Sequence, residues 1–194
     1  MFQTSNLVTL CWIIFLGYWA LNWRAVKPTK ETTWKPQSIG WIIAWIVVIA
    51  YFLSPWGQHN FLNQTNLSLF SIFKTTTAQV IGVVFLICGL ITAIIARKTL
   101  ADNWSGNVEL KKEHKLITTG VYKYVRHPIY TGVSFMGLGT FIINHSILSL
   151  LFVLILFWFF TYKLKKEEIL LLKHFPKEYP AYMKRTKALL PFIY

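Results

Sequence analysis

The sequence predicts an all-α integral membrane protein with about five transmembrane helices, the last two folded as a tight helical hairpin. Three observations predict it. The chain is 55% hydrophobic and 17% aromatic but only 14% charged, well outside the averages for a soluble domain. Five long apolar runs, at residues 6–23, 39–56, 78–96, 128–143 and 146–162, contain no Asp, Glu, Lys or Arg. Finally, 19 of the 20 Lys and Arg residues fall in three segments that the threading of these runs places on one side.

At 1.5 Å rise per residue the first three runs reach roughly 27 to 29 Å, the thickness of a bilayer's hydrocarbon core, and are expected to span it. No basic segment precedes the first run and no small-x-small cleavage motif follows it. It is therefore expected to remain as a reverse-oriented anchor and not to leave as a signal peptide. The last two runs, about 24 to 26 Å by the same rise, are separated only by Asn144-His145-Ser146 and read as one hairpin. Whether the hairpin crosses fully or enters deeply, both its ends emerge on the same side. The chain thus divides into a three-helix membrane scaffold, 1–96, and a functional region, 97–194, made of a loop, the hairpin and a C-terminal helical tail.

Orientation follows from the basic residues, which short loops retain on the cytoplasmic side. Arg24, Lys27, Lys30 and Lys35 follow the first helix, seven more lie in 97–126 and eight in 163–187, leaving Lys74 alone opposite. The N-terminus is expected outside, and the C-terminus and active site in the cytosol. All seven acids fall on that side, six of them after the third helix, so polar chemistry concentrates in two stretches flanking the hairpin. The net charge of +13 is accounted for by topology and by attraction to anionic headgroups. With no nucleic-acid module visible, no nucleic-acid partner is expected. Cys11 and Cys88 lie within apolar runs without metal or redox spacing; they are expected to be buried small hydrophobes, with no disulfide and no metal. The outer loop 57–77 is polar and nearly uncharged, and its Asn63-Gln-Thr and Asn66-Leu-Ser fit the glycosylation acceptor pattern only weakly. No internal repeat is visible. No strand-loop-helix with a glycine-rich turn occurs, which excludes a Rossmann-type cofactor domain.

The densest chemistry lies in HKLITTGVYKYVRHPIYTG, residues 114–132. Gly120 supplies a turn, and Pro128 suits the first turn of the hairpin helix, where its missing N–H costs nothing. Arg126 and His127 then sit at a helix N-terminus, which favours an anionic ligand group. Taken singly, each residue has a simpler reading: Arg126 as a headgroup anchor, Tyr122, Tyr124 and Tyr130 as an interfacial aromatic belt, His114 as a solvated loop residue. Their concentration in one stretch makes the functional case. Across the hairpin, Lys163 and Glu167 are four apart on one helical face, the spacing of a surface pair. The hairpin brings Glu167 and Glu168 towards His127, where a carboxylate accepts hydrogen bonds from hydroxyl or ammonium groups of a cofactor. Gly132, Gly137 and Gly139 permit close approach of a partner helix or a ligand.

In this order, followed by an apolar hairpin and KEEILLLKHFPKEYPAYMKRTKALLPFI, the chain resembles the isoprenylcysteine carboxyl methyltransferase family. The resemblance covers about half the chain, 102–193. It rests on the RHP-x-Y-x-G block, the Glu-Glu pair, Phe-x-x-Glu-Tyr-x-x-Tyr and the closing Leu-Pro-Phe-Ile. A chain this short, with five apolar segments, resembles a prokaryotic member. The resemblance implies S-adenosylmethionine as cofactor, S-adenosylhomocysteine as product, and a methyl ester formed on the carboxylate of a prenylated cysteine or similar lipid-like acid. Carried onto matching positions, it nominates His114, Lys115, Leu116, Ile117, Tyr122, His127, Pro128, Ile129, Tyr130, Glu167 and Glu168 for the cofactor, with Glu109 as a further candidate. Arg126 and Lys163 are nominated to position the substrate carboxylate. The family can carry arginine near the end of the hairpin; Lys163 makes a point contact in place of a bidentate one.

Such a transfer is a direct displacement in which a carboxylate and a sulfonium both lose charge. The carboxylate is ionised at neutral pH, so no base is required. Alignment and removal of water lower the barrier, and a site at the lipid–water boundary receives a polar cofactor and an apolar substrate each from its own phase. Two other enzymes fit in part. A phospholipid amine N-methyltransferase needs a base, with Glu167, Glu168 or His127 as candidates. A nicotinamide-dependent membrane reductase shares similar C-terminal motifs, but its larger helix count is missing here. A purely structural or partner-binding membrane protein is the non-enzymatic alternative.

Overall fold

A computed structural model describes residues 4–22, 28–34, 72–112 and 115–189. The elements run α1 (Thr4–Leu21), β1 (Thr29–Trp34), α2 (Thr76–Leu100), β2 (Val108–Lys111), α3 (Pro128–Asn144), α4 (Ile147–His174) and α5 (Glu178–Arg185). Short 3₁₀ turns at Ala101–Asn103 and Gly120–Lys123 follow α2 and precede α3. The expected span at 39–56 and the acceptor motifs at Asn63 and Asn66 lie outside the described residues. Of the described helices, Thr4–Leu21 and the stretch Thr76–Asn103 are long and apolar enough to cross a membrane.

The hairpin forms where the polar break predicts it. α3 opens on Pro128 and closes at His145, which takes φ of 39° and donates its N–H to the Phe141 carbonyl. Ser146 then caps α4 by accepting from the Ser149 N–H, and Ser149 returns the bond in a capping box. α4 does not stop where its apolar run ends at 162. It continues to His174, and its 28 residues reach about 42 Å, so Lys163, Glu167 and Glu168 ride on the same rigid helix as the apolar run.

The most extensive helix contact joins α2 to α3 through glycines spaced seven residues apart on both. That spacing returns each pair to one face, and the helices run antiparallel, so Gly89 meets Gly132 while Gly82 meets Gly139. A Cβ added at Gly89 would stand 2.5 Å from the Gly132 carbonyl oxygen, and one at Gly139 would stand 2.6 Å from that of Gly82. Backbone therefore packs on backbone, the arrangement small residues allow where lipid supplies no hydrophobic drive between helices. Gly137 faces the other way, towards Val153 and Leu156 of α4. α1 joins this core through Trp12, whose indole donates to Thr140 of α3 at 3.0 Å.

Two sequence expectations are corrected. The fold is mostly helical but not all-α: β1 pairs antiparallel with β2, in the register Thr29↔Lys111, Glu31↔Leu110, Thr32↔Glu109 and Trp34↔Val108. The alternation in Val108-Glu-Leu-Lys puts Val108 and Leu110 on one buried face against Leu170 of α4. Cys11 is buried as expected, but Cys88 is exposed on the outer face of α2. The sheet has a topological consequence, since it ties the segment after α1 to the segment after α2. The C-terminal tail joins the same end through a parallel bridge between Val125 and Lys187.

The glycine seam yields a stability prediction. Gly89→Ala is expected to cost about 2 to 3 kcal/mol by overpacking, whereas Gly17→Ala, with nothing within 4 Å of its added Cβ, leaves stability unchanged or slightly raised. Thermal unfolding in detergent measures both, and coincident melting of Gly89→Ala with wild type would refute the seam.

Candidate active site

At the end of the molecule where β1, β2, the loop before α3 and the tail of α4 meet, a cavity of about 460 Å³ opens, within the size range of small-molecule sites. Its lining divides by element. α1 contributes only apolar side chains, Trp12, Phe15, Leu16 and Trp19, continued by Ile129, Val133 and Phe160. The segment 103–109 contributes Asn103, Trp104, Ser105, Asn107 and Glu109, while the start of α3 and the end of α4 contribute Arg126, His127, Tyr130, Lys163 and Glu167. Tyr122 completes the polar part, buried and held by the turn that Gly120 makes at φ of 60°.

The centre is one hydrogen-bonded network. Glu167 Oε1 accepts from the Tyr130 hydroxyl at 2.5 Å, and His127 Nδ1 lies 3.4 Å from Glu167 Oε2. His127 Nε2 lies 3.3 Å from Glu168 Oε1, which also accepts from Arg126 Nε at 2.8 Å. Tyr130 is stacked between the His127 ring and Phe160. Lys163 is not the exposed surface pair its spacing suggests: it is buried, donates to the Gly106 carbonyl at 2.7 Å and stands 3.8 Å from Glu167. It thereby pins α4 to the loop that carries Ser105 and Asn107.

Burial disfavours charge on these groups; at Lys163 it prevails and lowers the ammonium's pKa, whereas at His127, Glu167 and Glu168 pairing outweighs it. His127 is held above its ordinary pKa by Glu167 and Glu168, and both carboxyls are held below theirs by His127 together with Lys163 and Arg126 respectively. At the N-terminus of α3, where an anionic group is expected, the protein brings up carboxylates of its own. Glu167 and Glu168 face the His127 ring, and the backbone N–H groups of Arg126 and His127 donate to the carbonyls of Lys187 and Ala188. Arg126 is committed to Glu168 and, through Nη1, to the Thr186 carbonyl, although it lines the cavity.

On β2, Glu109 forms a second buried cluster, accepting from Lys111 at 2.5 Å, Ser105 at 2.7 Å and Thr32 at 3.4 Å. Burial raises its pKa, yet these donors carry it down to about 2.

The nominated residues fall into groups. Glu109, Tyr122, Ile129, Tyr130, His127, Glu167, Arg126 and Lys163 line the cavity together. Glu168 supports His127 and Arg126 without lining it, and Pro128 is buried at the helix start. Lys115 is exposed, Leu116 and Ile117 are half-buried, and none of the three lines the cavity. His114 lies outside the described residues. Sequence reasoning missed Asn103, whose Oδ1 is buried without a hydrogen-bond partner among the described residues, and the aromatic side of α1. The recurrence of Trp12, Phe15, Leu16 and Trp19 on one helical face was a signal available for the latter; nothing in the pattern marks Asn103.

Residues 80–173, which hold most of this constellation, match the model of the isoprenylcysteine carboxyl methyltransferase (ICMT) family. Through that region, a little under half of its length, the chain is similar to the ICMT family. The protein-S-isoprenylcysteine O-methyltransferase of Saccharomyces cerevisiae is 36% identical over 132 residues, covering 66% of this chain and 55% of that protein. The Homo sapiens protein-S-isoprenylcysteine O-methyltransferase is 33% identical over 123 residues, covering 62% of this chain and 43% of that protein. A solved structure of the eukaryotic intramembrane Ras methyltransferase ICMT superposes with a TM-score of 0.60 at 27% identity, covering 82% of this chain and 55% of that one. The chain spans about half the length of the curated relatives it matches. The matched region runs from α2 to the end of α4, so the glycine seam and the Glu167 network both lie within it.

The Glu109 cluster sets an acid sensitivity. A carboxyl held at about 2 in the folded state against an ordinary value of 4.5 contributes stability that is full above 4.5 and lost as pH falls towards 2. Glu109→Gln is therefore expected to unfold with a shallower dependence on pH across that window, followed by tryptophan fluorescence. A variant as steep as wild type there would be inconsistent with the cluster.

Proposed function

We propose that this chain is an S-adenosylmethionine-dependent methyltransferase forming a methyl ester on the carboxylate of a prenylated cysteine or a similar lipid-like acid. The observation that carries the reading is a single cavity whose α1 side is wholly apolar and whose opposite side presents carboxylate, imidazole, phenol and ammonium groups. It sits in the region the chain shares with the ICMT family.

The residues present fit such a cofactor. Asn103 Oδ1 is a buried acceptor awaiting a donor, and Glu109 and Glu167 are carboxylates suited to ammonium or ribose hydroxyl groups. Tyr122, Ile129, Tyr130 and Phe160 offer surface for an adenine or a thioether chain. When bound, the cofactor supplies a methyl group made electrophilic by its sulfonium. The protein's part is placement. Lys163, fixed by Gly106, faces the cavity as a point charge for a carboxylate. The side chains of α1 hold an apolar tail and keep water from the reacting atoms.

The same electrostatics disfavour N-methylation of an amine headgroup. That reaction needs a base, and the pairing of His127 with Glu167 and Glu168 favours its protonated form while lowering the basicity of both carboxylates, which already accept from donors. The proposed topology sets this basic end in the cytosol and the N-terminus outside, because three segments rich in Lys and Arg converge there. The division at residue 96 serves as a description of connectivity; α1 also takes part in the site.

Calorimetry with S-adenosylmethionine and S-adenosylhomocysteine tests the reading. Wild type is expected to bind both and not NADPH. Glu167→Ala and Asn103→Ala are each expected to weaken binding roughly tenfold or more while remaining folded. A prenylated cysteine acceptor should yield an alkali-labile labelled product. Absence of binding at millimolar cofactor would end the proposal.

A further inference from the structure

A second cavity, of about 190 Å³, opens where the turn before α3 meets the end of α5 and the tail beyond it. Four of its lining residues are cationic, Lys123, Lys184, Arg185 and Lys187, and no acid among the described residues lines it. Among the described residues none of the four takes part in an ion pair. Their convergence is built by other contacts. The Tyr182 hydroxyl donates to the Tyr122 carbonyl at 2.6 Å, the Arg126 N–H donates to the Lys187 carbonyl at 2.8 Å, and Val125 bridges to Lys187. Lys184 and Arg185 in the last turn of α5 complement that helix's dipole, which accounts for two of the charges. Lys123 and Lys187 come from two other segments, and nothing in the helix requires them there. Four like charges brought together by tertiary structure repel one another unless an anion lies between them.

The rim indicates which anion. Tyr124 is 63% exposed on this cavity and lies four residues before Pro128, where the apolar run of α3 begins. An amphipathic ring at that level marks the headgroup zone. We infer that this cavity binds the phosphate group of an anionic phospholipid headgroup, in a defined site apart from the active-site cavity and beyond the general basic character of this face. Tyr124 flanks the glycerol and the cations hold the phosphate.

The test uses the full-length protein in neutral detergent, titrated with dihexanoyl phosphatidylglycerol, dihexanoyl phosphatidylcholine or inorganic phosphate, and read by thermophoresis. Phosphatidylglycerol is expected to bind roughly tenfold more tightly than phosphatidylcholine. Lys123→Gln/Lys187→Gln should abolish that preference and Lys123→Arg/Lys187→Arg should keep it. All the altered side chains are exposed, and a charge-matched control, Lys98→Gln/Lys165→Gln, should also keep it. Equal loss in the control would reduce the effect to a diffuse positive field and overturn the site. No preference for phosphatidylglycerol over phosphatidylcholine would overturn it too, and inorganic phosphate binding as tightly as phosphatidylglycerol would overturn the lipid assignment.

Discussion

Direct contact of backbone on backbone between α2 and α3 is the constraint on which the remaining geometry hangs. Lipid offers apolar side chains no reason to leave it for one another, so helices in a bilayer associate through close van der Waals packing. Glycines opposed on the two helices supply that packing without freezing any side-chain rotamer. Their seam fixes the axial and rotational position of both helices at once. α2 leads directly into the turn carrying Asn103 and then into β2 with Glu109, while α3 begins with His127 and Tyr130. Two walls of the principal cavity are therefore set by contacts between glycines that do not themselves line it.

The polar network uses that placement. Burying three cationic and two anionic side chains is costly unless each finds a partner, and here the partners are shared: Glu168 serves Arg126 and His127, while Glu167 serves Tyr130, His127 and Lys163. Sharing fixes rotamers more strictly than isolated pairs would, because moving one carboxylate disturbs several donors. The tail completes it from outside, since the carbonyls of Thr186, Lys187 and Ala188 satisfy the guanidinium of Arg126 and two N–H groups at the start of α3. A short segment whose Ala188 and Leu189 join the hydrophobic core thus becomes part of the support.

Much of this was legible in the sequence because it follows from periodicity and from a few residues with strict conformational demands. The apolar runs located α1 and α2, Asn144-His145-Ser146 located the hairpin bend, Pro128 located the first residue of α3, and Gly120 adopts the positive φ its turn needs. What escaped depends on partners distant in sequence. Val108–Lys111 is too short for alternation alone to announce a strand, and it forms one because Thr29–Trp34 comes alongside. The spacing of Lys163 and Glu167 suggested a solvated pair; only the fold reveals that Gly106 offers a carbonyl and that the ammonium is buried. Asn103 looks like any polar residue after a helix until its unpartnered oxygen is found on the cavity wall.

The continuity of α4 carries one further meaning. Because the apolar segment and the carboxylates belong to one unbroken helix, the distance of Glu167 beyond the apolar run is a matter of rise per residue: five positions past Tyr162 place it about 7.5 Å further along the axis. Its bearing is equally fixed, at about 100° per residue. Removing a single residue between Tyr162 and Glu167 would swing both carboxylates by that angle, away from His127 and Tyr130, with every helical hydrogen bond still intact. The helix acts as a ruler and a compass together, and its length in this stretch is as much a part of the site as the side chains it carries.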